Sequence, residues 1–246
     1  TLLGQNVDSF KWSNPETGEH FDFADLLALT AAIHPDLRVR FSTSHPKDMT
    51  DKVLHTMAAH ENICKYIHLP VQSGNSRVLE KMNRGYTREQ YEQRINAIRR
   101  ILPDCAISTD VIAGFCSETE EEHKDTLSLM EWVGYDFAFM FIYSERPGTA
   151  AAKSFPDDIP SEIKSRRLRE IVDMQQKTSA LRTKEFEGTI QRVLIEGTSK
   201  KSTEMLFGRN SQNTVVVFPK GDLKPGMYVN VLVEKSTITT LIGTVV

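Results

Sequence analysis

A parallel α/β fold followed by a small all-β barrel is what this sequence predicts, on three observations. Short apolar or β-branched runs alternate with amphipathic helical patterns over residues 1–153. One long helical pattern then bridges a change of character. From residue 188 onward, strand-like runs are separated only by turn signals.

Strands are expected at Thr1–Gln5, Leu37–Thr43, Ile63–Leu69, Ala106–Ile112 and Phe137–Tyr143. Each is short and apolar, as strands covered on both faces are. Helical spacing lies between them: Leu26, Leu27, Leu29 and Ile33 within residues 23–33, then Val53, Leu54 and Met57 within 49–59. A helical run follows the polar cluster after Pro70 and reaches Met82-Asn83-Arg84. Thr87-Arg88-Glu89-Gln90 reads as a capping box opening a helix that Pro103 stops. Thr119 opens another, where Glu120-Glu121-Glu122 complement the helix N-terminus. Such repeats imply a right-handed parallel array. Five strands are too few for a closed eight-stranded barrel, so a partial (βα) barrel lacking its first strand is expected.

Pro147-Gly148 and residues 150–160 read as a linker. Ser161 to about Phe186 reads as one helix, apolar at Ile163, Leu168, Ile171, Val172 and Leu181. Its basic residues Lys164, Arg166, Arg167, Arg169 and Lys177 are expected on a solvated face. Strands at Ile190–Ile195, Met205–Arg209, Thr214–Phe218, Met227–Val233 and Leu241–Val246 suggest an OB-like barrel. The expected division is therefore 1–153, 154–187 and 188–246. Residues 188–246 hold 7 Lys and Arg against 4 Asp and Glu, and the remainder 23 against 29. That asymmetry points the tail at an anionic partner.

No apolar run approaches the ~20 residues of a membrane span, and no signal-peptide pattern opens the chain. It also opens inside a strand-like run without Met, so a piece of a longer cytoplasmic protein is expected. Cys64, Cys105 and Cys116 fit no Cys-x2-Cys spacing and are read as buried, reduced thiols, not metal ligands.

Polar clusters recur where the strands end: Gln5-Asn6, Ser42-Thr43-Ser44-His45, Gln72-Ser73, Asp110, Gly114 and Ser144-Glu145-Arg146. Convergence at that end of a parallel sheet is the pattern of a binding site. Gln72 offers an acceptor and donors, Ser73 a hydroxyl, and Arg84 a fork suited to a carboxylate. Asp110 interrupts an apolar strand and must be paired or bind a ligand hydroxyl. Gly114 lets the backbone approach something flat. His45 and His68 are read as structural, and no catalytic residue is assigned.

The words Leu2-Leu3-Gly4-Gln5-Asn6-Val7, Arg40-Phe41-Ser42-Thr43-Ser44-His45-Pro46, Leu69-Pro70-Val71-Gln72-Ser73-Gly74, Met82-Asn83-Arg84-Gly85-Tyr86-Thr87, Thr109-Asp110-Val111-Ile112-Ala113-Gly114-Phe115 and Tyr143-Ser144-Glu145-Arg146-Pro147-Gly148-Thr149 resemble the radical S-adenosylmethionine methylthiotransferases. Within them the likeness is to the branch that modifies isopentenyl-adenosine in tRNA. Leu194-Ile195-Glu196-Gly197-Thr198-Ser199-Lys200-Lys201 with Gly208-Arg209-Asn210 resembles a TRAM domain, an OB-like tRNA-binding barrel.

The resemblance implies roles. Gln72 and Arg84 would hold the methionyl part of S-adenosylmethionine, Asp110 its ribose, and Ile112 with Gly114 its adenine. Gln5, Asn6, Ser42, Ser44 and Ser73 would line the pocket. Lys200, Lys201 and Arg209 would meet RNA phosphates. The intact enzyme would use two 4Fe-4S clusters and an electron donor, a deoxyadenosyl radical to abstract hydrogen, and a second cofactor molecule as methyl donor. Its substrate would be an anticodon stem-loop. The cluster cysteines of the family are absent here, so the chain alone should be inactive. Gly114-Phe115-Cys116-Ser117-Glu118-Thr119 also departs from the family's Gly-Phe-Pro-Gly-Glu-Thr, which is expected to loosen that turn. Two alternatives stay open, a branch acting on a ribosomal protein and a non-catalytic RNA-binding module.

Overall fold

The computed structural model describes residues 1–42 and 44–246; Thr43, within an expected strand and the expected pocket, lies outside them. The first two expected strands shrink to single parallel bridges, Leu2 with Phe41 and Val39 with Ile63. A 3-10 turn, Val7–Ser9, follows the first of them. A hairpin that the strand reading passed over follows, β1 (Lys11–Ser13) with β2 (His20–Asp22). Asn14 forms its turn, its side chain accepting from the Glu16 amide at 2.9 Å, and Trp12 packs on Phe21 at 5.5 Å.

The parallel sheet is completed by β3 (Tyr66–His68), β4 (Ala106–Ala113) and β5 (Phe137–Ile142), in that order. Helices α1 (Phe23–Ala32), α2 (Asp51–Ala59), α3 (Ser76–Lys81), α4 (Arg88–Ile101) and α5 (Glu120–Val133) return between strands. Thr87 with Gln90 and Thr119 with Glu122 form capping boxes, as their spacing predicts. Asp22 with Asp25 forms a third. One sheet face, with Ile67, Val111 and Ala138, is buried in a core shared with Leu54, Met57, Tyr91 and Leu129. Fully burying a Leu or Ile there contributes about 1.5–3 kcal/mol. The other face presents His68, Ser108, Asp110 and Ile112 beside Phe137, Phe139 and Phe141.

The expected linker contains a short helix, α6 (Ala150–Ser154), capped by Thr149. Helix α7 (Ser161–Lys184) corrects the solvated-face expectation. Lys164 and Arg167 are buried, at 5% and 4% exposure. Arg167 pairs with Glu118 at 2.8 Å, Arg166 with Glu120 at 2.7 Å, and Lys164 with Asp157. Two of these carboxylates lie at the start of α5, so Arg166 and Arg167 dock it, while Arg169 and Lys177 are exposed as expected.

Strands β6 (Ile190–Thr198), β7 (Met205–Arg209), β8 (Val215–Pro219), β9 (Tyr228–Ser236) and β10 (Thr240–Val245) close into a barrel ordered β10-β8-β7-β6-β9. Val193, Ile195, Leu206, Val216, Phe218, Val231, Val233 and Leu241 fill it. It sits against the N-terminal side of the parallel sheet. Arg38 donates to the carbonyls of Arg209 and Asn210 at 2.6 and 3.0 Å, and the Lys65 amide to Ser211 Oγ at 3.2 Å.

Candidate functional site

After β3 the chain crosses Pro70 and returns to β4 at Gln72, a non-glycine residue with φ +72°. Two backbone bonds hold that conformation: the Gln72 amide donates to Asp110 O at 2.8 Å, and the Ile112 amide donates to Gln72 O at 2.9 Å. Left-handed backbone in a polar residue costs free energy, and the ladder over-determines it. Gln72, Asp110 and Ile112 thereby share one rim of a cleft of about 540 Å³, completed by Phe141, Tyr143 and Arg146 at the end of β5.

Asp110 is half-buried. His68 Nε2 lies 3.4 Å from its Oδ1, and His68 Nδ1 lies 2.8 Å from Ser108 Oγ. Tyr66 Oη is a further 2.6 Å from that hydroxyl. This polar line engages one oxygen of the Asp110 carboxylate. Sequence reasoning misses it, although the alternation of Tyr66, His68, Ser108 and Asp110 along two strands is its signal.

Arg84 follows α3 between two left-handed residues, Asn83 at φ +54° and Gly85 at +72°. Its Nε lies 3.4 Å from Tyr86 Oη, which itself donates to the carbonyls of Pro70 and Val71 at 3.1 and 3.0 Å. Tyr86 thus carries Arg84 to the strand end that launches Gln72. Among the described residues no carboxylate pairs with this guanidinium. Burial and the Arg84 charge together push the His45 pKa down.

The remaining expected pocket residues are placed differently. Asn6 donates to Asp48 at 2.6 Å, and Ser44 to buried Asp8 at 3.2 Å. Gln5 is exposed, and the Ser42 amide donates to Leu2 O at 3.3 Å. Ser73 is fully buried with its hydroxyl 3.3 Å from Thr126 Oγ1, facing α5 and not the cleft. Beside it a Cβ on Gly74 would stand 2.5 Å from Asp125 O, so only glycine lets α5 come this close.

Gly114 has φ +73°, and what approaches its bare Cα is the stem of Lys164, whose Cγ would stand 2.4 Å from an added Cβ. Its amide donates to Glu118 at 2.9 Å. Burial pushes the Glu118 carboxyl up, while that amide and Arg167 pull it back. The turn expected to be loosened is braced: Ser117 takes φ +58°, its amide donates to Asp158 at 2.7 Å, and its carbonyl accepts from Arg77 at 2.8 Å.

In the barrel, Lys200 and Lys201 are exposed in the turn between β6 and β7. Arg209 stands at the other end of β7, held by Glu196 at 3.2 Å and by Asn213 O at 2.8 Å. The structure therefore does not bring the three together. Cys64, Cys105 and Cys116 are buried and free. The first two precede β3 and β4 and the third follows β4. Among the described residues no three His, Cys, Asp or Glu side chains are placed to hold a metal ion, so these thiols do not fit a cluster.

A βα sheet with its cleft at the strand ends, joined to a closed barrel, has known counterparts. The profile of the Radical SAM superfamily matches residues 4–130 and that of the TRAM domain residues 184–246. The chain belongs to the Radical SAM superfamily. It is 58% identical to a tRNA-2-methylthio-N(6)-dimethylallyladenosine synthase from Amoebophilus asiaticus, over 99% of this chain and 52% of that protein. Proteins of the same name from Phocaeicola vulgatus and Bacteroides fragilis are 53% and 54% identical, over 99% of this chain and 53% of theirs. The chain thus spans about half the length of the curated relatives it matches. Among solved structures, coproporphyrinogen III oxidase from Escherichia coli, described as a radical SAM enzyme, aligns with a TM-score of 0.50 at 17% identity. That alignment covers 72% of this chain and 47% of that one, a likeness of fold. No helix among the described residues is long and apolar enough to cross a membrane.

Proposed function

We propose that this chain is the cofactor-holding and RNA-engaging half of a tRNA methylthiotransferase, which places a methylthio group at C2 of an N6-isopentenyl-adenosine beside the anticodon. Residues 1–153 would hold the cofactor and residues 188–246 the RNA, with 154–187 joining them. The observation that supports this most is the rim where Gln72, Asp110 and Ile112 meet above a 540 Å³ cleft, in a chain with relatives of that name.

The residues present fit S-adenosylmethionine. Asp110 keeps an acceptor for vicinal hydroxyls, Ile112 with Tyr143 offers apolar surface for a base, and Arg84, with no carboxylate partner among the described residues, suits a carboxylate. Gln72 would orient the methionyl end from its fixed backbone. Gln5, Asn6, Ser42 and Ser44 do not line this cleft, and no cofactor contact is proposed for them. Ser73 and Gly114 act through the packing of α5 and α7. When bound, the cofactor supplies the hydrogen-abstracting radical and the methyl group. What this chain would contribute is orientation: a carboxylate and an apolar wall in the cleft, and the Arg84 cation beside the strand end, outside the cleft lining. Lys200 and Lys201 would meet RNA phosphates directly, and Arg209 from the seam. An electron donor and an anticodon stem-loop are the partners of this reading.

Arg84→Ala in the intact protein tests it. Titration calorimetry should find S-adenosylmethionine binding weakened about tenfold or more, the worth of a charge-assisted pair, with tRNA affinity within twofold of wild type. Equal loss of both affinities in a folded protein would sink the assignment.

A further inference from the structure

Phe137, Phe139 and Phe141 are 40%, 47% and 52% exposed, while Ala138 between them is 2% exposed. Parallel register sets them beside Ser108, Asp110 and Ile112. The row therefore lies on the same sheet face as two of the cleft residues. Phe137 meets Phe139 edge-on at 4.9 Å, and Phe139 meets the His68 ring at 5.7 Å. Phe141 lines the cleft. Phe137 and Phe139 line a second cavity of about 390 Å³, bounded across from them by Arg209, Asn213 and Thr240 of the barrel and by Arg182. The aromatic row thus runs from the cleft to the place where the barrel meets the sheet.

We propose that Phe139, with Phe137, seats an unpaired purine whose exocyclic nitrogen bears an apolar chain, and selects for that chain. The inference rests on the function proposed above and names the residues that would read its substrate. Beside the apolar lane of phenylalanines runs the polar lane of Tyr66, His68, Ser108 and Asp110. Two such lanes fit a ligand with one hydrogen-bonding edge and one apolar arm. A cavity of about 390 Å³ is in the range of small-ligand sites. Ring faces accept a splayed-out base, as RNA-binding proteins use them. The guanidiniums of Arg182 and Arg209 stand at the barrel end, paired with Asp136 at 3.3 Å and with Glu196 at 3.2 Å, and flanking phosphates would have to compete with those carboxylates.

The test uses the full-length protein and two stem-loop RNAs that differ only in whether the loop adenosine is prenylated. Wild type should prefer the prenylated RNA. Phe139→Ala should weaken binding of the unmodified RNA about tenfold, as loss of one stacking platform does, and binding of the prenylated RNA by clearly more, so that the preference falls. Phe139→Leu, which keeps the strand covered, carries the test if the alanine variant does not fold. A wild-type preference that survives both substitutions overturns the inference while leaving the proposed function standing. So does an unchanged preference accompanied by lost self-association, which assigns the row to a second copy, or by a lower Tm, which assigns it to packing within the chain. Failure of wild type to methylthiolate the prenylated RNA, read by mass spectrometry, removes the function itself and the inference with it.

Discussion

Asp8 shows how a single buried carboxyl ties stability to pH. Burial pushes it up to about 7, Ser44 pulls it down, and Asp48 pushes it further up. Its native pKa lies above the unfolded value near 3.8, so the folded protein binds the proton more tightly. That contribution is fully present below about pH 4 and is lost as the pH rises through about 7. Asp8→Asn should therefore raise Tm more at pH 8 than at pH 5, since each tenfold change in proton affinity is worth about 1.4 kcal/mol. Equal gains at the two pH values would show that Asp8 does not titrate in that window. Local sequence could not mark Asp8, because its burial comes from Ser44, 36 positions away. That Gln72 and Asp110 meet on one rim was foreshadowed in the sequence, Asp110 by interrupting an apolar strand and Gln72 by heading the polar cluster after Pro70. The direction of Ser73 was not, because left-handed Gln72 turns the chain that follows it towards α5.

At the level of elements, α7 was legible in length and not in what it touches. Its partners Glu118 and Glu120 lie 46 to 49 positions away, so a local charge pattern reads as a solvated stripe. The two early strands kept their place and order yet shrank to single bridges, since strand length is set by pairing and not by apolar run. The seat of Lys164 on Gly114 makes α7 a brace for the end of β5, where Lys164 Nζ donates to Tyr143 O at 3.3 Å. Gly114→Ala should destabilise by about 1–3 kcal/mol, from overpacking and left-handed backbone together. Lys164→Ala removes the clashing stem at the cost of its own pairing. The double variant should then lose at least about 1 kcal/mol less than the sum of the singles in urea melts. Strict additivity would mean that the two residues do not meet.

For the molecule as a whole, the seam between sheet and barrel is ionic. Glu196 of β6 sits between Arg40, at 3.0 Å, and Arg209, at 3.2 Å, and Arg192 pairs with Asp36 at 3.2 Å. These groups are 22% to 62% exposed, so solvent screens them. Removing the shared carboxylate leaves two guanidiniums facing each other, at a cost of roughly 1–2 kcal/mol. Glu196→Ala should split one calorimetric transition into two, the barrel melting apart from the sheet. A single unsplit transition at unchanged Tm would show that the remaining bonds across the seam, among them Arg38 to the Arg209 and Asn210 carbonyls, Arg192 to Asp36 and Thr183 Oγ1 to Thr237 O at 2.6 Å, hold the halves together without Glu196. The two-part plan was legible from the switch in periodicity at residue 188. The seam was not, since it joins arginines of the first 40 residues to the barrel.

The ring order of the barrel also bears on how the protein is made. Strand β10 pairs antiparallel with β9 and parallel with β8, so residues 240–245 alone join the two open sides. A ribosome delivers β6 to β9 first, as a curled sheet with both edges bare. The sheet with its helices can form while synthesis continues, because domains fold in the order they emerge. The barrel can be finished only when β10 is free of the exit tunnel, so it closes after the cleft is already in place.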